Sequence, residues 1–164
     1  MIYNENIKRV CSFYVSDWHF VTMLLPHINE EINEKVKFAT ILQTDEKTYM
    51  TTLLEKLKIE NKDKVLKINW NKTVLNESNI KELLKNFSDE IEIIVKGDIN
   101  FIKQANDEII KNITNQKVKI INCYNINEDK EKIAEILAKH DMVLNTSGEH
   151  EKEKYIQNIK IANA

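Results

Sequence analysis

The sequence predicts an α/β fold: a three-layer sandwich in which a mainly parallel, six-stranded sheet lies between two layers of helices. Short β-branched and aromatic runs alternate with segments whose apolar residues recur at helical spacing. No hairpin signal joins successive runs, so each strand is expected to reach the next by a right-handed crossover through a helix. The chain has 164 residues, 42% of them hydrophobic, which suffices for one core without disulfides or a metal. No Pro/Gly-rich linker interrupts it, so residues 1–164 read as a single domain.

The elements follow in order. Val10–Val15 has the composition and length of a strand, and Trp18, Val21, Leu25, Ile28 and Ile32 then form a helical stripe. Pro26 sits inside that stripe; it removes a backbone hydrogen bond at a cost of about 3 kcal/mol unless the helix bends, so a kink is expected. Val36–Leu42 is the second strand, followed by the stripe Met50, Leu53, Leu54, Leu57. Val65–Trp70 reads as the third, followed by Ile80, Leu83, Leu84 and Phe87. Ile91–Lys96 precedes Ile102, Ala105, Ile109 and Ile113, and Val118–Tyr124 precedes Ile133, Ile136, Leu137 and His140. Met142–Asn145 is the sixth strand, after which Tyr155 to Ile161 reads either as an edge strand or as a tail.

Charge and motif content exclude several functions. The formal net charge of −2 provides no field that would favour nucleic acid or an anionic membrane. Nowhere do about 18 apolar residues run together, so no membrane span is expected. Cys11 and Cys123, each inside a strand-like run, read as buried thiols of a cytoplasmic protein. The two glycines, Gly97 and Gly148, are isolated, and neither G-x-G-x-x-G nor G-x-x-x-x-G-K-[ST] is present, which argues against a phosphate-cradling loop. His19, His27, His140 and His150 show no H-E-x-x-H spacing, and there is no C-x-x-C, so neither a metal nor a cofactor is expected. His27 directly follows Pro26 and His140 ends an apolar stripe; both suit packing or a helix C-terminus.

In an open α/β sheet, ligands bind outside the carboxyl ends of the strands. Those ends read "SDWH", "QTDEK", "NWNKT", "KGDIN", "YNINED" and "NTSGEH". Asp17, His19, Asp45, Asn71, Asp98 and Glu149 are therefore expected to present polar groups to one pocket, with Trp18 at its wall. A plainer role is also open. Ser16 or Asp17, Thr44 or Asp45, Ser78 and Asn127 precede helical stripes, where a side-chain oxygen caps the first turn. Asp17 is expected to cap the first helix. Trp18 opens the first stripe and fits the core, whereas His19 lies off it.

The segment "RVCSFYVSDWHFVTMLLPHINEEIN" resembles the opening of MEDS domains, the sensory domains of methanogen, methylotroph and dichloromethane-responsive regulators; Cys11, Phe13, Tyr14, Leu24, Pro26 and Ile28 fall on the pattern. "VKIINCYNINEDKEKIAEILAKHDMVL" is similar to that family's closing strand–helix–strand, through Cys123, Tyr124, Ile136, Leu137, His140 and Val143. The likeness runs from about Lys8 to Tyr155. The chain departs from the pattern at Arg9, at the glycine-free turn "NEEINEKVK" and at "NTSGEH". The resemblance implies a RecA/KaiC-like core that has lost its phosphate loop, a Rossmann-like topology, and a stand-alone sensory role without catalysis. Its partners would be a small organic ligand, a regulatory protein or a second copy of the chain. Two other classes stay open: an interaction module with no ligand, and an enzyme using Asp17, His19 and Asp98 as acid/base groups.

Overall fold

The computed structural model describes residues 6–33, 35–86 and 90–155. Strands β1 (Ile7–Tyr14), β2 (Val36–Leu42), β3 (Glu90–Lys96), β4 (Lys117–Asn125) and β5 (Met142–Asn145) are parallel, and β6 (Gly148–Glu151) is antiparallel to β5. They form one mixed sheet in the order β2-β3-β4-β1-β5-β6. The longest ladder joins β1 to β4, in register from Ile7 opposite Val118 to Tyr14 opposite Asn125.

Helices pack on both faces because successive strand residues point to opposite sides. On the first face, Val10, Tyr14, Phe38, Leu42, Ile94 and Ile121 meet α1 (Asp17–Glu31), α2 (Lys47–Lys56) and α3 (Lys62–Leu66). On the second, Cys11, Ile41, Ile93, Val95, Ile120 and Val143 meet α4 (Glu77–Lys85), α5 (Ile99–Asn112) and α6 (Ile133–Ala138). Helix α1 runs unbroken through Pro26, whose missing N–H leaves the Thr22 carbonyl without its helical donor. Its buried residues are Phe20, Val21, Met23, Leu24, Leu25, His27 and Ile28. Trp18 is not in the core; it is 48% exposed, because the inward face begins two residues later.

The expected third strand is not a strand. Val65 and Leu66 belong to α3, and the chain beyond them runs along the outer edge of β2. There the Thr40 hydroxyl donates to the Asn69 carbonyl, Thr73 N–H donates to the Leu42 carbonyl at 2.8 Å, and Leu42 N–H donates to Thr73 Oγ1 at 3.0 Å. Two of these three bonds use side chains, so no ladder forms. Trp70 is buried and its indole donates to the Val65 carbonyl at 3.0 Å, which accounts for the apolar run without pairing.

The sixth strand comes instead from a hairpin. Asn145 Oδ1 accepts from Ser147 N–H at 2.9 Å, and Gly148 adopts φ 111°, so the chain reverses within two residues. Tyr155 closes a helical turn over 152–155 and stacks on Phe13 at 5.6 Å; the rest of the expected edge strand or tail, 156–161, lies outside the described residues.

The second face holds one buried polar network. Asn106 and Asn122 exchange amide hydrogen bonds at 2.8 and 3.1 Å, and Asn122 Nδ2 donates to His140 Nε2 at 3.0 Å. His140 Nδ1–H donates to the Ile136 carbonyl at 2.6 Å, which fixes a neutral imidazole. Burial lowers its pKa from 6.5 to about 4.

Candidate functional site

The carboxyl ends of β1, β2 and β3 converge on a buried ammonium. Lys96, the last residue of β3, is only 5% exposed, and its Nζ lies 2.9 Å from Asp17 Oδ1 and 2.6 Å from Glu46 Oε1. The same nitrogen sits 4.8 Å from the centre of the Tyr14 ring and 5.2 Å from that of Phe20. Burial opposes the lysine's charge, but the two carboxylates overcome it and hold its pKa above the ordinary range. Glu46 is wholly buried; desolvation raises its pKa, and its Oε2 makes no hydrogen bond. Asp17 is desolvated too, yet the Lys96 ammonium outweighs this and lowers its pKa.

Local sequence puts each group there. Ser16, not Asp17, caps α1: its Oγ accepts from His19 N–H at 3.1 Å, which frees the Asp17 carboxylate to turn toward Lys96. Glu46 is anchored by its own N–H, which donates to the Trp70 carbonyl at 2.9 Å. The loop after β3 is held against the loop after β2, where Asp98 N–H donates to Gln43 Oε1 at 2.7 Å and Gln43 Nε2 donates to Asp98 Oδ2 at 3.0 Å. Gly97 makes that approach possible, since a Cβ there would meet the Phe101 ring at 2.5 Å and Gln43 Oε1 at 2.8 Å.

Several residues expected at the site do share this end of the sheet, but mostly in structural roles. Asp98 caps α5 through Phe101 N–H at 2.8 Å, and the Gln43 amide, then that N–H, lower its pKa. Asp45 accepts from Lys72 N–H, and exposed Asn71 donates its N–H to Asn69 Oδ1 at 3.0 Å. His19 Nδ1 accepts from Val15 N–H at 2.9 Å, and Trp18 meets Tyr49 edge to face at 4.9 Å. Glu149 is elsewhere. Because β6 folds back antiparallel, its carboxylate reaches Lys119 at 2.7 Å and Lys8 at 3.2 Å, on the first face toward the strands' amino ends.

Three clefts among the described residues lie away from the expected site. One of about 410 Å³ opens at the amino ends of the strands, beside Lys8, Glu31, Glu92 and Lys119. Grooves of about 400 and 650 Å³ lie by the edge of β2 and between α4 and α5. None of these three is lined by Asp17, Trp18, His19, Asp45, Asn71, Asp98 or Glu149. No protein family, curated protein or solved structure matches this chain.

Sequence reading selected Asp17, which does meet Lys96, but passed over the buried Lys96 and Glu46 themselves in favour of nearby Asp98 and Asp45. A faint signal exists: Lys96 ends an otherwise apolar strand, and Glu92 interrupts the same run between Ile91 and Ile93. No helix among the described residues is long and apolar enough to cross a membrane.

Proposed function

We propose that the chain is a non-catalytic, MEDS-like sensory module of a signalling system, with a RecA-like core whose phosphate position is filled by its own ion triad. The observation that carries the reading is the buried Lys96, held between Asp17 and Glu46 at the carboxyl ends of the strands. Strand order supports it: β1 lies between β4 and β5, and the segments leaving β1 and β4 pass to opposite faces, the arrangement that opens a crevice at a topological switch point. An ammonium committed to two carboxylates is unavailable to a phosphate, and no glycine loop replaces it. The recognition surface is the carboxyl end of the sheet, with half-exposed Trp18 at its centre, and the bound species is a small organic molecule.

A second reading is favoured by a specific observation. Val15, Trp18 and Val74, at 53%, 48% and 69% exposure, leave apolar surface at that end. Such a surface suits a regulatory protein or a second copy of the chain.

Calorimetry with Mg-ATP and Mg-GTP tests the main point, with no binding expected below about 1 mM; a micromolar affinity overturns it. A thermal-shift screen of small organic compounds then separates the two readings. A stabilising compound whose effect disappears in Trp18→Ala supports ligand sensing. With no such compound, self-association that Trp18→Ala abolishes supports the interaction module.

A further inference from the structure

At the opposite end of α1, a histidine and two glutamates converge. His27 and Glu31 are one helical turn apart and so share a face, and Glu149 arrives from β6. Their ligating atoms all lie within 4.8 Å of one another. We infer that His27, Glu31 and Glu149 form a site for a divalent transition metal of the zinc class, in which the Lys119 ammonium serves as counter-ion when the metal is absent.

Four observations support the inference. The donors are one imidazole and two carboxylates, a set that suits Zn²⁺ or Co²⁺ better than Mg²⁺ or Ca²⁺, which take oxygen alone. Around a metal at about 2.1 Å, neighbouring tetrahedral ligands are about 3.4 Å apart, so small side-chain rotations close the set. One oxygen donor is available and a second is held only by solvated lysines: the Glu31 carboxylate makes no hydrogen bond or close ion pair among the described residues, and Glu149 is held by Lys119 and, through Oε1 at 3.2 Å, by Lys8, whose side chain is 46% exposed. The 410 Å³ cleft is lined by Glu31, giving an entry path and room for water at an open coordination position.

The charges around the site allow the exchange. Glu31, Glu92 and Glu149 lie beside Lys8 and Lys119, while Lys117 and Glu90 on the same cleft pair with each other at 3.8 Å and Asp141 adds a further carboxylate, so acids outnumber ammonium groups there. Lys119 Nζ lies 2.7 Å from Glu149 Oε2 and 3.7 Å from Glu92 Oε1, and its side chain keeps 19% of its surface in solvent, so it can swing out as a metal enters. His27 is 7% exposed and packs edge to face on Phe38 at 6.2 Å, so its ring is already positioned. Glu92, 2.8 Å from His27 Nε2, is the carboxylate that orients the imidazole.

The test is calorimetric titration of the chelator-treated full chain with Zn²⁺, paired with the visible absorption of added Co²⁺. A micromolar Zn²⁺ affinity is expected, unaffected by millimolar Mg²⁺ or Ca²⁺. His27→Gln, Glu31→Gln and Glu149→Gln should each weaken it at least about tenfold, and Lys119→Gln should strengthen it. Glu31 is only partly buried and unpaired, so Glu31→Gln decides the matter should His27→Gln unfold. Zn²⁺ binding that survives Glu31→Gln and Glu149→Gln undiminished would place the metal elsewhere and overturn the inference, as would an affinity weaker than about 100 μM in the unaltered chain.

Discussion

Helix α1 and strand β3 share two polar side-chain pairs, one at each end of the same face, and the surroundings of the two differ in kind. At the start of α1, Asp17, 41% exposed, meets Lys96, whose side chain is 6% exposed; near its end, His27 meets Glu92, each 6% exposed, and the difference lies in the ammonium groups around them. At the first end the Lys96 ammonium is sealed by Tyr14, Phe20 and buried Glu46. The second adjoins a cleft and lysines that can leave. A charge enclosed with its partners cannot rearrange without uncovering another charge, whereas one beside water can be re-solvated. The sealed end therefore fixes its ammonium among its partners, whereas at the open end Lys8 and Lys119, 46% and 19% exposed, are free to exchange one.

The largest expected effect comes from breaking the sealed end. Lys96→Met leaves Glu46 buried without its cation and should cost about 3–5 kcal/mol in urea denaturation. Adding Glu46→Leu should restore most of that loss, because an apolar pair removes the uncompensated charge. If Lys96→Met alone is neutral, the triad does not hold the fold.

A reference away from both ends comes next. His140 takes up a proton below about 6.5 when unfolded but only below about 4 when folded, so the unfolded chain binds the extra proton between these values. Stability should fall as pH falls through that window, by an amount on the order of 2–3 kcal/mol, and His140→Gln should flatten this part of the profile. An unchanged profile in the variant would assign the acid loss to the carboxylates at the two ends.

At the open end, Lys119→Met should cost only about 1 kcal/mol, since its ammonium is partly solvated. A loss equal to that of Lys96→Met would erase the distinction between the ends. The smallest effect is expected for Trp18→Ala, within about 0.5 kcal/mol, because half the side chain is already in water. A larger loss would mean that its contact with Tyr49 supports the sealed end.

The parallel strands were legible because burial on both faces writes short, mostly apolar and β-branched runs; Val36–Leu42 and Met142–Asn145 match their expected bounds. Val65–Trp70 misled for the same reason, since it is apolar to cover the edge of β2 rather than to join it. Strand β6, Gly-Glu-His-Glu, carries no apolar signal, and with it the true position of Glu149 was lost. Crossover logic alone named the carboxyl end of the sheet, where Asp17, Glu46 and Lys96 meet. Which acid turns inward it could not name: Asp45 and Glu46 are neighbours in sequence, and only the bond from Glu46 N–H to Trp70, 24 residues later, selects between them.

The covering of the β2 edge has a consequence for the protein in concentrated solution. A sheet grows from molecule to molecule where a border strand offers an unbroken row of donors and acceptors. Residues 69–73 occupy part of that row, and Asn33 occupies its beginning, its N–H donating to the Val36 carbonyl at 3.4 Å while its Oδ1 accepts from Val36 N–H at 2.9 Å. At the other border, the short β6 presents glutamates and a histidine. Among the described residues each margin thus carries a feature that disfavours β-pairing between copies: a partly covered row at β2 and a short, acidic strand at β6.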